Sequence, residues 1–146
     1  MNAITAPDTA TTSTRAAAPT GVWRIGLVAT VLAAAATATV AAIASAAGVP
    51  LTMDGEELPI AGFATLTTFF SVVGVVLAWA MGRWAPRPRS TFVATTVVLT
   101  LVSFLPSIAS DASTATRVVL CIAHAVAASI VIPLLASRLP DRRPAR

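Results

Sequence analysis

Long apolar stretches alternate with short polar segments over most of the chain. Four of these stretches are about as long as a bilayer is thick, and they cover residues 23–47, 62–84, 91–108 and 116–137. A helix needs roughly 20 predominantly apolar residues to cross the hydrocarbon core of a membrane. The pattern therefore predicts an all-α integral membrane protein, a four-transmembrane-helix bundle formed by residues 22–139.

The two ends of the chain have a different character. Residues 1–21 are rich in Ala, Thr and Pro and show no apolar periodicity, which predicts a disordered cytoplasmic tail. Residues 140–146 form a short basic cytoplasmic tail. The first apolar stretch also contains Ala44-Ser45-Ala46, which is similar to a signal-peptide cleavage site. That stretch is much longer than the roughly 7–15 apolar residues of a signal peptide, which favours a retained helix.

Small side chains recur at helical spacing in the first two apolar stretches. A row of short side chains lets two helix backbones approach closely, which favours helix packing within a membrane. We therefore expect each row to mark a packing face of its helix. The first row consists of Thr30, Ala34, Thr37, Ala41, Ala44 and Gly48, and the second consists of Thr67, Ser71, Gly74, Ala78 and Met81.

The third stretch is the shortest and carries several hydroxyl groups on one face. We expect its helix to begin at Thr91, with Ser90 or Thr91 as the N-cap, because the preceding prolines interrupt a helix. Pro106 is expected to end or kink it. Hydroxyls in lipid either turn inward or bond a carbonyl of their own helix, and close packing is the favoured interpretation. The hydroxyl face comprises Thr96, Thr100, Ser103 and Ser107.

The segment between the first two stretches, residues 48–61, contains acidic residues and no basic ones. Asp54-Gly55 is a tight-turn dipeptide, so this segment forms either a small hairpin over the mouth of the bundle or an irregular loop. Asp54, Glu56 and Glu57 make an acidic cluster in this outer loop. Their spacing lacks the regular pattern of a calcium-binding loop, which argues against a cation site.

Basic residues are concentrated on one side of the predicted membrane. Nine arginines fall on the side of the termini, whereas Arg117 falls on the other side with Asp54, Glu56, Glu57 and Asp111. This asymmetry predicts that both termini are cytoplasmic and that the protein is a multi-pass protein of the plasma membrane. A net charge of +4 would suggest nucleic acid in a soluble protein. In a chain that is 56% hydrophobic, arginines facing anionic lipid headgroups explain that charge, and no nucleic-acid partner is expected.

The last apolar stretch carries the most polar chemistry. Arg117, Cys121 and His124 recur at spacings of four and three, so they share one face of the helix. His124 is about 10 Å from the outer end of this helix, at 1.5 Å per residue. An ionisable residue at that depth usually faces the interior of a bundle, and we expect its partners among the hydroxyls of the third helix. The predicted buried polar site comprises Arg117, His124, Thr96, Thr100 and Ser103.

Several roles for His124 are open at this point. A haem ligand would need a second histidine and hence a dimer, and a proton relay would need a carboxylate within the membrane. A structural hydrogen-bond hub needs only the hydroxyls that the chain contains, and this role is favoured. No cofactor or metal ligand set is expected. Cys121 is expected to be a small buried apolar residue, and Pro133 an ordinary transmembrane proline.

The sequence shows no nucleophile–base–acid set, no phosphate-binding glycine loop and no histidine pair for a metal. We therefore expect a non-enzymatic scaffold or accessory component of the cell envelope. Its expected partners are membrane lipids and either another membrane protein or a second copy of itself. The alternative is an oligomeric small-molecule or ion-binding protein, similar to a transporter, that uses the polar site between helices three and four. The lack of an acidic partner for His124 favours the first interpretation.

Several short features together resemble a family of small four-helix bacterial membrane proteins classed only as a domain of unknown function. The resemblance covers about residues 22–139 and implies the same architecture. It implies no activity, substrate or site. The features are Gly62-Phe63 at the start of helix two, the hydroxyl-rich helix three near Pro106, Thr116-Arg117 leading to His124, Val131-Ile132-Pro133, Ala136, and Arg138-Leu139.

Overall fold

The computed structural model describes residues 20–141, and these residues form four helices and one small β-hairpin. Each helix is long and apolar enough to cross a membrane, which confirms the predicted all-α four-helix architecture. Most of the predicted N-terminal tail and residues 142–146 lie outside the described residues. The elements are α1 (Thr20–Ala46), β1 (Thr52–Met53), β2 (Glu56–Glu57), α2 (Ile60–Trp84), α3 (Pro88–Ala109) and α4 (Thr114–Ala136).

Two clusters of buried side chains lie at opposite ends of the bundle. The cluster at the termini end, where α1 begins and α4 ends, draws on all four helices. The cluster at the hairpin end, where β1 and β2 lie, draws its buried residues from α1, α2 and α4. Consecutive helices therefore run in opposite directions, and α3 enters the buried core at the termini end. Members of the first cluster include Val22, Ala78, Phe92 and Leu135, and members of the second include Ala41, Phe63 and Val119.

Helix α1 packs mainly against α2 and α4 through its row of small residues. Ala29, Ala33 and Ala41 are completely buried, although Ala29 and Ala33 were not in the predicted row. A Cβ atom on Gly26 would lie 2.5 Å from Val75 Cγ2, so only glycine allows α1 to approach α2 this closely. Within the predicted row, Thr30, Thr37, Ala41 and Ala44 are buried, Ala34 is half-buried, and Gly48 is an exposed residue after the helix end with φ 79°.

The predicted packing face of α2 also lies inside the bundle. The hydroxyls of Thr37 and Thr67 are 2.9 Å apart and link α1 to α2. Ser71 and Ala78 are buried, and Gly74 lies beside Val131 of α4. Short polar side chains therefore join these helices by close packing and one hydrogen bond, as is common between helices in membranes.

Helix α3 begins earlier than the sequence predicted. Arg87 is its N-cap and Pro88 lies in its first turn, so the prediction of a start at Thr91 with Ser90 or Thr91 as the N-cap was wrong. Proline suits a first turn because its missing N–H has no partner there and its φ is already helical. Pro106 does not end the helix, which continues to Ala109.

The connection between α1 and α2 contains a two-residue hairpin turn rather than an irregular loop. Thr52 pairs with Glu57 and Met53 pairs with Glu56, and the turn residues Asp54 and Gly55 have φ values of 53° and 84°. Positive φ at both central residues is typical of the type I′ turn, which fits the twist of a hairpin.

The hairpin is bound to the turn between α3 and α4. The backbone N–H of Asp54 donates to the carbonyl of Asp111 at 3.0 Å, and the N–H of Asp111 donates to Asp54 Oδ1 at 2.8 Å. The buried hydroxyl of Thr116 donates to the carbonyl of Pro50 at 2.6 Å. We call these three hydrogen bonds the hairpin clasp, because they fasten the α1–α2 connection to the second pair of helices.

The chain folds back over the termini end after α4. Leu139 is buried in the cluster there and lies close to Gly82 of α2. Arg89 donates its backbone N–H to the carbonyl of Pro140 at 3.3 Å, and its side chain forms an exposed ion pair with Asp141 at 3.2 Å. Because an exposed ion pair contributes little, Leu139 is the main anchor of this segment.

Candidate functional site

The start of α4 is held in place by a capped first turn. Ser113 is the N-cap of this helix, and its hydroxyl accepts a hydrogen bond from the backbone N–H of Thr116 at 3.1 Å. Thr116 is fixed in turn by its bond to Pro50. These contacts set the direction in which the next side chain, Arg117, leaves the helix.

Arg117 is half-buried and incompletely hydrogen-bonded. Its Nη2 donates to the carbonyl of Ser110 at 3.0 Å, whereas its buried Nε has no hydrogen-bond partner among the described residues. Residues 20–141 also contain no carboxylate in an ion pair with Arg117. A guanidinium has five N–H donors, so this side chain has unused capacity to bind an acceptor.

The predicted hydrogen bonds between His124 and the hydroxyls of α3 are absent from the described structure, and that prediction was wrong. His124 Nδ1 lies 2.8 Å from the carbonyl of Leu120, in its own helix. A carbonyl only accepts, so Nδ1 carries the proton in this bond. The neighbour of the ring on α3 is Phe104, whose ring centroid is 6.2 Å away in an edge-to-face arrangement.

The hydroxyls of α3 bond to their own helix. Thr96 donates to the carbonyl of Phe92 at 2.7 Å, Thr100 to that of Thr96 at 2.8 Å, and Ser103 to that of Thr100 at 2.7 Å. A hydroxyl reaches a carbonyl one turn earlier without depending on a neighbouring helix. The residues of the predicted polar site therefore lie on the two neighbouring helices α3 and α4. In the described structure, their side chains are not joined to one another in a hydrogen-bond network across the two helices.

A groove opens between α3 and α4 on the side surface of the bundle. It consists of two adjoining shallow hollows that are wide open to the surface, with volumes of about 380 and 430 Å³, and both are lined by Phe104 and Ala125. The first reaches toward Pro133, and the second reaches toward the hairpin end and includes Arg117 in its wall. We call these two hollows together the α3–α4 groove. Its walls are almost entirely apolar, so Arg117 is the charged group of the groove.

The three outer acidic residues have separate surroundings. Asp54 uses its carboxylate to accept from the backbone of Asp111. Glu56 and Glu57 are adjacent in β2, so their side chains leave opposite faces of the strand. Within residues 20–141, no three His, Cys, Asp or Glu side chains are grouped so that they could hold a metal ion.

Cys121 lies in the wall of the groove and is half-buried rather than fully buried. The groove itself and the carbonyl of Ser110 as a partner of Arg117 were missed by the sequence analysis. The position of Phe104 beside α4 could have been found from the sequence. In two antiparallel helices joined by a short turn, residues that lie near the turn are neighbours. The carbonyl of Ser110 had no such signal, because any backbone carbonyl in that turn was equally available.

The fold and this site define a small four-helix protein of the membrane-spanning type with a lateral groove. A family model described as a family of unknown function (DUF6069) matches residues 17–141. This match covers most of the chain, so the protein belongs to that family, in agreement with the resemblance noted from the sequence. No curated protein and no solved structure matches the chain.

Proposed function

We propose that this protein is a non-enzymatic accessory component of the plasma membrane that binds other membrane molecules from the side. The observation that carries the proposal is the α3–α4 groove, which opens laterally and has apolar walls. A groove of that kind faces lipid tails or the helices of neighbouring proteins when the bundle lies in a bilayer.

The packing of the bundle centre supports lateral binding over passage through the middle of a single copy. Thr37 on α1, Ala78 on α2, Phe92 on α3 and Leu135 on α4 are almost completely buried. Ala78, Phe92 and Leu135 belong to the cluster at the termini end, and Thr37 lies further along α1. A molecule that meets this bundle has easier access to the groove than to its centre.

We further propose that both termini are cytoplasmic and that the hairpin end lies outside. In support, Arg24, Arg83, Arg87, Arg89 and Arg138 are all exposed near the termini end, and cytoplasmic segments carry an excess of basic residues. Reporter fusions at residue 56 and at the C-terminus test this orientation. Finding the C-terminus outside would refute it.

The alternative function is an oligomeric binding protein, similar to a transporter, that uses the same helix pair. Two features favour keeping it: Arg117 Nε has no described partner, and no described residue forms a hydrogen bond with His124 Nε2. In this case, the groove would be completed by a second copy of the chain.

Site-specific photocrosslinking in native membranes separates these functions. A photoreactive amino acid replaces Ala125, which is exposed and lines both hollows, and a control replaces Val72, which is exposed on α2. We expect a discrete adduct from position 125 and diffuse lipid labelling from position 72. Equal labelling at the two positions would overturn the proposal, whereas a dimer of this chain as the discrete adduct would support the oligomeric alternative.

A further inference from the structure

We propose that the hairpin-end half of the α3–α4 groove binds one anionic phospholipid, with its phosphate at Arg117 and an acyl chain along the apolar wall. This inference rests on the proposed function, because it names the molecule that occupies the same groove. It adds a specific headgroup chemistry and a specific residue that recognises it.

The electrostatic surroundings of Arg117 favour an anion that residues 20–141 do not supply. Its buried Nε has no partner among these residues, and its one described hydrogen bond goes to a neutral carbonyl. The ion pair found among residues 20–141 joins Arg89 and Asp141 at the opposite end. Arg117 also lies close to the start of α4, where the helix dipole is unfavourable for a cation. A phosphate beside the guanidinium would pair its charge and offset the unfavourable dipole.

The acidic residues at the hairpin end do not replace that anion. Asp54, Glu56, Glu57 and Asp111 are all exposed, so water and salt screen their charges. The guanidinium of Arg117, by contrast, has a nitrogen out of contact with water. A negatively charged group within the groove would interact with it at a lower effective dielectric constant than the exposed carboxylates do.

The depth of Arg117 matches the position of a lipid headgroup. Helix α4 contains 23 residues, so it is about 35 Å long at 1.5 Å per residue. The hydrocarbon core is about 30 Å thick, so the first turn of this helix lies near the interface. Arg117 belongs to that part of the helix, where a phosphate can reach the guanidinium and form two parallel hydrogen bonds.

The groove below Arg117 suits an acyl chain. Its wall continues along α4 through Val118 and Ile122 to Ala125, opposite Phe104 and Ile108 of α3. The eight helical steps from Arg117 to Ala125 span about 12 Å along the helix, which is close to the roughly 15 Å depth of one leaflet. The hollow has a volume of about 430 Å³, and the adjoining hollow extends the same apolar path. A lipid of one leaflet therefore meets a charge at its head and apolar walls along its tail.

Lipid retention by the purified full-length protein tests the inference. The protein is transferred from detergent into vesicles of phosphatidylglycerol and phosphatidylcholine with identical acyl chains and is then extracted again. Native mass spectrometry measures the mass of the protein with its bound lipid. We expect the wild type to retain phosphatidylglycerol in preference to phosphatidylcholine. Arg117→Gln should weaken this retention about tenfold, because a hydrogen-bonded charge is lost. Arg117→Lys should retain part of it, because the charge remains without the planar fork.

Two further variants provide controls whose results could overturn the inference. Arg24→Gln removes an exposed arginine at the other end of the bundle and should leave retention unchanged; an equal loss in both variants would reduce the effect to bulk charge and overturn the inference. Ala125→Phe fills the groove while keeping Arg117 and should lower retention, which covers the case in which Arg117→Gln fails to fold. Unchanged phosphatidylglycerol retention in both Arg117→Gln and Ala125→Phe would also overturn the inference.

Two further outcomes separate the possible causes. Inorganic phosphate alone should not displace the lipid, because it cannot occupy the apolar wall; efficient displacement would indicate a free-anion site and overturn the lipid assignment. Unchanged lipid retention in Arg117→Gln, together with a discrete protein adduct from position 125, would reject the lipid and leave the proposed lateral function standing.

Discussion

The two ends of the bundle are closed in different ways. At the termini end, all four helices share one apolar cluster, and Leu139 folds back to complete it. At the hairpin end, α3 adds no buried side chain to the cluster, and the clasp closes the surface with hydrogen bonds to backbone groups. The comparison shows that α3 is anchored by apolar packing at one end only. The hairpin-end half of the groove therefore lies where apolar packing gives way to hydrogen bonding.

The largest effect is expected from removing the buried ring of Phe92, which anchors α3 at the termini end. Phe92→Ala should lower the free energy of unfolding by about 3–5 kcal/mol, because Phe92 is completely buried in the shared cluster. Unfolding in mixed detergent micelles measures the change. The matched control is Phe104→Ala in the groove wall, which should cost about 1 kcal/mol because that ring is only half-buried. Equal costs for the two variants would mean that both halves of α3 are anchored alike.

A smaller effect is expected at the hairpin clasp. Thr116→Val keeps the shape of the side chain but removes its hydrogen bond to the carbonyl of Pro50. That carbonyl still accepts from the backbone N–H of Thr52 at 2.8 Å, so the change should cost about 1 kcal/mol, the net contribution of one hydrogen bond. Hydrogen exchange should rise around the hairpin and the α3–α4 turn and stay unchanged at the termini end. The control is Thr65→Val, because Thr65 is exposed and bonds to the carbonyl of Ala61 in its own helix. Unchanged exchange at the hairpin would show that the clasp does not hold the two connections together.

The smallest effect is expected for the residue that first suggested a polar site. His124→Leu should change the free energy of unfolding by less than about 1 kcal/mol, because its described hydrogen bond stays within α4. The edge-to-face contact with Phe104 is the interhelical interaction that would be lost. Thermal unfolding of both His124→Leu and Thr100→Val gives the measurement. If both variants lowered the free energy of unfolding by more than about 3 kcal/mol, the result would support the predicted hydrogen-bond network between the two helices.

The helices of this fold could be predicted from apolar length, since each stretch must satisfy its backbone hydrogen bonds internally in a membrane. The small-residue faces of α1 and α2 were predictable because helical spacing alone places Thr37, Ala41 and Ser71 on packing sides. The start of α3 was misjudged at Pro88, because proline both interrupts helices and begins them, and sequence spacing does not say which applies.

The side-chain partners within the candidate site were harder to predict. Helical spacing correctly placed Thr96, Thr100 and Ser103 on one face, but the direction of each hydroxyl depends on competition between its own backbone and a neighbouring helix. The local carbonyl prevails because reaching it requires no fixed distance between helices. The groove was not predictable either, because it depends on how the side chains of α3 and α4 pack against each other, which helical spacing does not specify.

The hairpin clasp also has a consequence for the order in which the protein is made. Asp54 and Asp111 are separated by 57 positions in the sequence, and synthesis proceeds from the N-terminus. The first pair of helices is therefore synthesised while the acceptor and donor groups of the second connection do not yet exist. The clasp can close only after α3 and the start of α4 have been added, which makes it a late step of biogenesis and a marker that both helical pairs have been assembled.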